Sequence, residues 1–445
     1  MAAGIRRLLV VAPTGSGKTV LAVRMLSGAV KNKKRCLFIV HRRELVRQSL
    51  DAFEAGGVPC GVIANGKGFK YEAGYPVYVA SIQTLVNRLY SIGDFDMCIW
   101  DEAHHLKAKS WDKVFRFYKN AWHCGLTASP ERLDGGGLRD FFDEMVMGPS
   151  VSELMKGGSL CKYAYYSSDS DISLDDIRMV AGDYSPSAIG DLMDVPVIVN
   201  KAVDEYLRLA PDKRFLVFAV NLKHSQHIVD EFQRKGISAL HIDSKTPQEE
   251  RDAAILGLSE GRIKVISNVG LFGEGVDIPV LDGISILRPT KSLALYLQMC
   301  GRCLRPSPGK DKAIIIDHVM NFKEHGLPCD DRRDSWSLDG REKREIASTR
   351  ICEFCFRVMQ MKDTICPACK TPVKINKRGP RGGPEEVEGE IVKIDPEEVR
   401  RERHREVAQA ETLDDLVRIG IQRGYKTGWA YHILAARQRK LNKKS

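Results

Sequence analysis

No stretch of the sequence approaches the ~20 apolar residues that span a bilayer, and the first residues lack the charged, apolar and small-residue blocks of a secretory signal. A cytoplasmic protein with no membrane partner is the expectation. No segment recurs with a period of about 20–50 residues, which argues against a solenoid or a propeller. An Asp…Glu-x-Lys constellation is also missing, so no nuclease centre is expected in this chain. Nor is there a disulfide framework: eight of the twelve cysteines are scattered, and Cys36, Cys98 and Cys124 sit inside apolar runs as small reduced hydrophobes.

What is present is enough chain for two or three domains, 445 residues, each able to bury its own core. The formal charge of +10 suggests an anionic partner. Eighteen basic against twelve acidic residues lie from Lys370 onward, so the excess gathers at one end. A solvated tail and a nucleic-acid contact both account for it.

Apolar runs of strand length alternate with longer amphipathic stretches at 8–11, 36–40, 77–80 and 97–100, and again at 215–220, 264–269, 283–287 and 313–316. That alternation predicts an α/β fold with two tandem parallel sheets and crossover helices. The reading places one domain at 1–150, a polar connector at 151–195 and a second domain at 196–325. A cysteine cluster at 346–375, a Gly/Pro/charge-rich linker at 376–395 and a basic helical tail at 396–445 follow.

Directly behind Leu8-Leu9-Val10-Val11 stands APTGSGKT, Ala12–Thr19. A strand that breaks into a glycine-rich turn and then a helix aims several backbone N–H groups at one point, and the helix dipole adds positive potential there. Thr14, Gly15, Ser16, Gly17, Lys18 and Thr19 form the expected phosphate cradle, with Lys18 on the terminal phosphates of ATP and the Thr19 hydroxyl on Mg²⁺. Ala12 stands where the usual pattern has glycine. The run Met97–Trp100 leads into Asp101-Glu102-Ala103-His104. An acidic pair at the end of a parallel strand suits Asp101 to hold Mg²⁺ through water and Glu102 to orient and deprotonate the attacking water.

With these motifs, LTASP at 126–130 and Gln298-x-x-Gly301-Arg302-x-x-Arg305 resemble the helicase-like ATPases of superfamily 2. HRRELVRQ at 41–48, ASIQTL at 80–85, GEGVDIP at 273–279 and ILRPTKSLALYLQMCGRCLRPSPGK at 286–310 resemble the RadD-like helicases of bacteria and phages, related to type III restriction translocase subunits. The resemblance covers about 8–320 and implies two RecA-like lobes with ATP between them and a nucleic-acid strand across both. It adds His104 of the DEAH tetrad to the catalytic set and places Gly275 and Asp277 near the nucleotide, Asp277 at its ribose. Thr127 and Ser129 match the motif that couples the two sites. Arg42 or Arg43, Gln83 and Thr84 fall in motifs that contact the phosphate backbone, which implies salt-sensitive binding independent of sequence. The Leu-Arg-x-Tyr-Gln type motif that reads adenine has no counterpart before Leu8, and weak nucleotide binding is expected on that ground.

Phosphoryl transfer is catalysed by positioning and charge, and the first lobe alone lacks cations for the transition state. Gln298, Arg302 and Arg305 lie on one face of an expected helix, and the two arginines could serve as fingers when the cleft closes. Cys352-x-x-Cys355 and Cys366-x-x-Cys369 have the spacing of a closed four-sulfur zinc site, structural because it has no open position; redox pairing is the alternative. Cys300-x-x-Cys303 has no second pair nearby. In the tail, Thr412 with Asp415 resembles a capping box. The expectation is an ATP-dependent translocase or helicase acting on single-stranded or forked DNA, with replication, repair or defence proteins as partners. The alternatives are a restriction motor subunit and a nucleotide-switched clamp that binds without moving.

Overall fold

The computed structural model describes residues 4–66, 68–130, 136–167, 177, 179–180, 182–271, 278, 280–340, 349–352, 355–360 and 363–372, with isolated positions between 407 and 433. The side chains of Arg43, Glu44 and Ser335 fall outside this set. Gly275, Asp277, the Arg43 side chain and most of the basic tail therefore lie outside the described residues.

Seven parallel strands build the first lobe: β1 (Arg7–Val11), β2 (Cys36–Val40), β3 (Cys60–Ile63), β4 (Val77–Ser81), β5 (Met97–Asp101), β6 (Trp122–Thr127) and β7 (Glu144–Met147), in the order β3-β4-β2-β5-β6-β1-β7. A strand covered by helices on both faces has no need to alternate, and every residue of β2 is buried. Leu37 and Ile39 enter one core cluster while Cys36, Phe38 and Val40 enter another, so the two clusters are the two faces of the sheet. Each large apolar side chain buried this way contributes roughly 1.5–3 kcal/mol.

The second lobe is a six-stranded parallel sheet made from β8 (Lys162–Ser167), β11 (Phe215–Phe218), β12 (Ala239–Ile242), β13 (Val265–Asn268), β14 (Gly283–Ile286) and β15 (Lys312–Asp317). Its order is β12-β13-β11-β14-β15-β8. Between β8 and β11 a short hairpin of β9 (Met179–Val180) and β10 (Asp183–Tyr184) docks through Asp183, which accepts from the Thr290 hydroxyl at 2.8 Å and the Lys291 amide at 2.8 Å.

The structure redraws the connector expected at 151–195. Lys162–Ser167 pairs with β15 over six residues and is the edge of the second sheet. Tyr163, Tyr165 and Tyr166 stand where the other strands of the sheet carry Val or Ile, so the run lacks their aliphatic signal, and the acidic and turn-rich residues after it marked the whole segment as a connector. After the second sheet the chain returns to the first lobe as a strap. Leu338 is buried in the first lobe's core, its carbonyl accepts from the amides of Leu138 and Arg139, and Asp339 pairs with Arg139 at 2.9 Å.

The cysteine cluster lies on a hairpin of β16 (Thr349–Ile351) and β17 (Val358–Gln360) that docks on the edge strand β8. Residues Met1–Ile375 form one compact unit and Asn376–Ser445 another. Within the latter, Ala410, Leu416 and Ile419 share a small cluster with Val407 and Ile433. The expected capping box is made reciprocally: the Asp415 amide donates to Thr412 Oγ1 at 3.2 Å, and the Thr412 amide donates to Asp415 Oδ2 at 3.1 Å. Among the described residues, no helix is long and apolar enough to cross a membrane.

Candidate ATP site between two lobes

Ala12–Lys18 breaks out of β1 because Gly15 and Gly17 both take positive φ, 82° and 87°, which side-chain-bearing residues rarely adopt. Lys18 opens the helix Lys18–Lys31, and its ammonium donates to the carbonyls of Ala12 at 3.0 Å and Pro13 at 3.3 Å, so it lies over the mouth of the loop. Thr19 stands in the first helical turn. The Thr14 and Ser16 hydroxyl oxygens are buried with no hydrogen-bond partner among the described residues. Buried hydroxyls without partners are costly, and a polyphosphate would give both an acceptor.

Asp101 ends β5 level with Leu126 of β6, which is itself level with Val10 of β1, so Asp101 and the root of the loop lie two strands apart. At the spacing of neighbouring strands that is roughly 10 Å, enough for a phosphate and a hydrated cation. Asp101 and Thr19 are hard oxygen donors of the kind Mg²⁺ takes alongside water and phosphate. Glu102 adopts the left-handed conformation, φ 52° and ψ 54°, which turns the chain sharply out of the strand. Its carboxylate lies 3.4 Å from His104 Nδ1, which is also 3.2 Å from the Thr127 hydroxyl. The single hydroxyl proton of Thr127 goes to the Ser129 carbonyl at 2.7 Å, so His104 Nδ1 carries the hydrogen that Thr127 accepts.

The second lobe reaches this site through the helix Leu293–Arg302. Gly301 packs on Thr14 so closely that a Cβ there would lie 2.7 Å from Thr14 Cβ. A Cβ on Gly15 would lie 2.9 Å from Leu160 and 3.9 Å from Arg305 Cγ. Arg302 is 8% exposed and Gln298 2% exposed, with Gln298 Nε2 lacking a hydrogen-bond partner among the described residues. Burial pulls the Arg305 guanidinium below its usual pKa, the signature of a cation taken out of water. The structure thus seats Gly301 on Thr14 and Arg305 beside Gly15 of the phosphate loop, with Gln298 and Arg302 buried on the same helix as Gly301. A small cavity of about 50 Å³ lies against Thr14, lined also by Gly301 and the strap's Trp336, while Lys18, Asp101 and Glu102 do not line it.

The residues expected along a nucleic-acid strand are less alike. Arg42 donates from Nη1 to the Leu271 carbonyl and from Nη2 to the Gly270 carbonyl, each at 3.2 Å, and so bridges the lobes. Gln83 donates to the His41 carbonyl at 2.6 Å. Thr84 is buried and its hydroxyl accepts from Ser81 at 3.0 Å, so this side chain serves its own turn rather than a surface. Sequence reasoning did not find Gly301 as the residue that packs on Thr14, although a residue without Cβ between Gln298 and Arg302 was its signal. The strap through Leu338 carried no signal beyond isolated apolar residues in a polar stretch.

The four cysteine sulfurs lie within 4.8 Å of one another, with Cys352–Cys369 at 3.7 Å and Cys355–Cys366 at 3.6 Å. A tetrahedral zinc with Zn–S of about 2.3 Å requires sulfurs about 3.8 Å apart, so the cluster fits a structural zinc. The two knuckles repeat each other. Phe356 and Lys370, each just after the second cysteine of its pair, take φ 60° and donate back to the carbonyls of Cys352 and Cys366. Cys300 and Cys303 instead have their thiols pushed up by complete burial, and they are packing residues.

Two parallel sheets in tandem, with a phosphate loop at the end of the first and an arginine-bearing helix of the second seated on it, define a two-lobed RecA-like P-loop protein. Residues 2–132 match the family described as type III restriction enzyme, res subunit, and residues 199–307 match the helicase conserved C-terminal domain. A 51.5 kDa protein of a Lactococcus phage is 34% identical over 398 residues, 88% of this chain and 83% of that one. The Saccharomyces cerevisiae protein IRC3, whose name describes an ATP-dependent helicase, is 32% identical over 335 residues, 71% of this chain but 49% of its own length. The chain therefore spans about half of that relative. Among solved structures, a fragment described as an HsdR subunit of a type I restriction enzyme from Vibrio vulnificus shares the fold. Its TM-score is 0.56 at 20% identity, covering 73% of this chain and 62% of that one. The chain belongs to the superfamily 2 helicases, the ATP-dependent helicase and translocase family with a res-subunit domain followed by a helicase C-terminal domain.

Proposed function

We propose that this protein is a DNA translocase of the RadD-like kind, in which ATP hydrolysis at the lobe seam drives steps along a strand. The observation that carries the proposal is the seating of Gly301 and Arg305 of the second lobe against Thr14 and Gly15 of the phosphate loop. A first lobe with Lys18 alone has one cation for a transition state that spreads negative charge over three oxygens. Arg302 and Arg305 would add two more from the opposite side, and burial makes each of them a stronger electrostatic partner for phosphate than an exposed arginine would be.

In this reading Thr19 and Asp101 would hold Mg²⁺, which would supply positive charge for the terminal phosphates. Glu102 takes the proton of the attacking water; His104 Nδ1 lies 3.4 Å from its carboxylate and is itself oriented by Thr127. Gln298 donates to the same phosphate or water, Asp277 and Gly275 serve the nucleoside side, and Gln83 and Arg43 line the strand. The domains act as 1–150 and 196–325 with the intervening residues completing the second lobe. DNA rather than RNA is favoured by the match to a restriction-enzyme subunit. That match also favours a second reading, a motor subunit of a restriction or defence assembly.

The test is steady-state ATP turnover with single-stranded DNA, duplex, forked DNA and RNA, paired with strand displacement. Stimulation by DNA with displacement of a forked strand is expected, whereas stimulation by duplex without displacement selects the restriction-motor reading. Glu102→Gln should lower stimulated turnover by about 100-fold or more while ATP still binds. Turnover near wild type in that variant would remove Glu102 from its role.

A further inference from the structure

Arg42 was expected to grip a phosphate backbone, yet its guanidinium takes two main-chain carbonyls of the other lobe. Those carbonyls belong to consecutive residues, Gly270 and Leu271, just past the end of β13, in a turn where Gly270 takes φ 64° and both accept from the one guanidinium. A planar fork of donors matches such a pair, where an ammonium would satisfy one carbonyl at a time. Leu271 is itself buried in the second lobe's core, so the turn that Arg42 holds is rigidly tied to that lobe.

On the other side Arg42 is tied to the hydrolytic site. The residue before it, His41, has its carbonyl held by Gln83 and its ring 5.2 Å from that of His105. The His105 ring lies tilted against those of His104 at 4.2 Å and of Trp111 at 5.7 Å, the latter buried in the first lobe's core. His104 reaches both the Glu102 carboxylate and Thr127. A continuous file of packed rings therefore runs from the Glu102 carboxylate to the arginine that holds the second lobe. Close-packed rings shift together rather than deforming singly.

We propose that Arg42 is a positioning residue that latches the lobes at Gly270–Leu271, and that the rings of His41, His105 and His104 carry the state of this latch to Glu102. The polynucleotide-stimulated part rests on the function proposed above; the latch itself does not. A phosphate is a stronger acceptor for a guanidinium than a peptide carbonyl. A strand that captured Arg42 would therefore have to release the latch, which makes the two roles experimentally exclusive.

The experiment has two arms on the full chain. Amide hydrogen exchange over residues 265–271, without nucleotide or DNA, should accelerate by about tenfold in Arg42→Ala and less in Arg42→Lys. ATP turnover against single-stranded DNA concentration should then show Arg42→Ala lowering the saturated rate by about tenfold while the half-stimulating concentration moves by less than about twofold. His105→Ala should lower the saturated rate likewise, and the double variant should lose less than the product of the two singles. Unchanged exchange at 265–271 overturns the latch. A saturated rate that is retained, with only a higher DNA requirement, assigns Arg42 to the strand and overturns the coupling. A wild-type protein that hydrolyses no ATP with any polynucleotide would defeat the proposed function, while the exchange arm still decides the latch.

Discussion

Gly301 of the second lobe packs on Thr14 of the phosphate loop, and the absence of a Cβ there is a requirement rather than a convenience. Gly301→Val would push Thr14 and with it the whole loop; stimulated ATP turnover should fall by about tenfold or more with little change in melting temperature, because the misfit sits at a seam and not in a core. Turnover unaffected by this change would mean that the seated contact is not the working one. Three histidines tell of pH. Burial pulls His123 and His224 down to about 4 and His318 to about 3, so each is neutral in the fold. His123 shows how: its Nδ1 accepts from the Trp100 indole at 3.0 Å and its Nε2 meets the Tyr118 carbonyl at 3.1 Å, a pattern that fits the neutral ring. Between the ordinary histidine value and about 4 the unfolded chain binds these protons and the folded one does not, so their stability is complete above the unfolded pKa and lost as pH falls. Asp317, raised to about 6 by burial, works the other way, since the folded state keeps its proton and loses that advantage as pH rises through 6. Three groups outweigh one. Denaturant midpoints should drop between pH 7 and pH 5, at about 1.4 kcal/mol per pH unit for each unbalanced proton; a flat profile over that range would contradict the buried neutral state.

At the scale of elements, the four-cysteine hairpin finishes an open edge. Arg357 pairs with Tyr166 of β8 as an antiparallel bridge, the Ser167 amide donates to the Phe356 carbonyl at 3.1 Å, and Val358 joins the second lobe's core. An exposed edge strand invites pairing with other chains, and a small metal-held hairpin is one way to cover it. The spacing of the four cysteines made the metal site legible, but its position could not be read, because knuckle geometry is local and docking is not. Removing zinc, by chelation or by Cys366→Ser, should speed amide exchange across Lys162–Ser167 by about tenfold or more and promote self-association, while exchange in β1 to β6 stays as it was. Unaltered exchange in β8 would show that the hairpin does not protect the edge.

At the scale of the whole molecule, the chain crosses between its lobes more often than two domains in series require. The strap from Leu327 to Gly340 leaves the second lobe, buries Leu338 in the first and passes over Gly137, where a Cβ would lie 1.9 Å from the Leu338 carbonyl. Trp336 packs against the cores of both lobes. Gly137→Ala should therefore lift the strap, and protease sensitivity near residues 336–340 should rise without loss of the first lobe's own unfolding transition. Cleavage at the wild-type rate would mean that the strap docks by some other contact. Such a strap limits how far the lobes can part, a constraint on any alternating motion that no local motif expresses.

Strand-length apolar runs, the glycine pattern of Ala12–Thr19, the acidic end of β5 and the paired cysteines were all readable in one dimension, because each is a rule about neighbours within a few residues. Strand periodicity, positive φ at Gly15 and Gly17 and thiolate spacing depend on covalent distance alone. Tertiary structure decided the rest: that β8 belongs to the second sheet, that Leu338 belongs to the first core, that Gly301 rests on Thr14 and that Arg42 spends its donors on Gly270 and Leu271. These pairings join residues far apart in the chain, and an apolar or basic side chain has many equivalent partners until the packing of both lobes leaves it one.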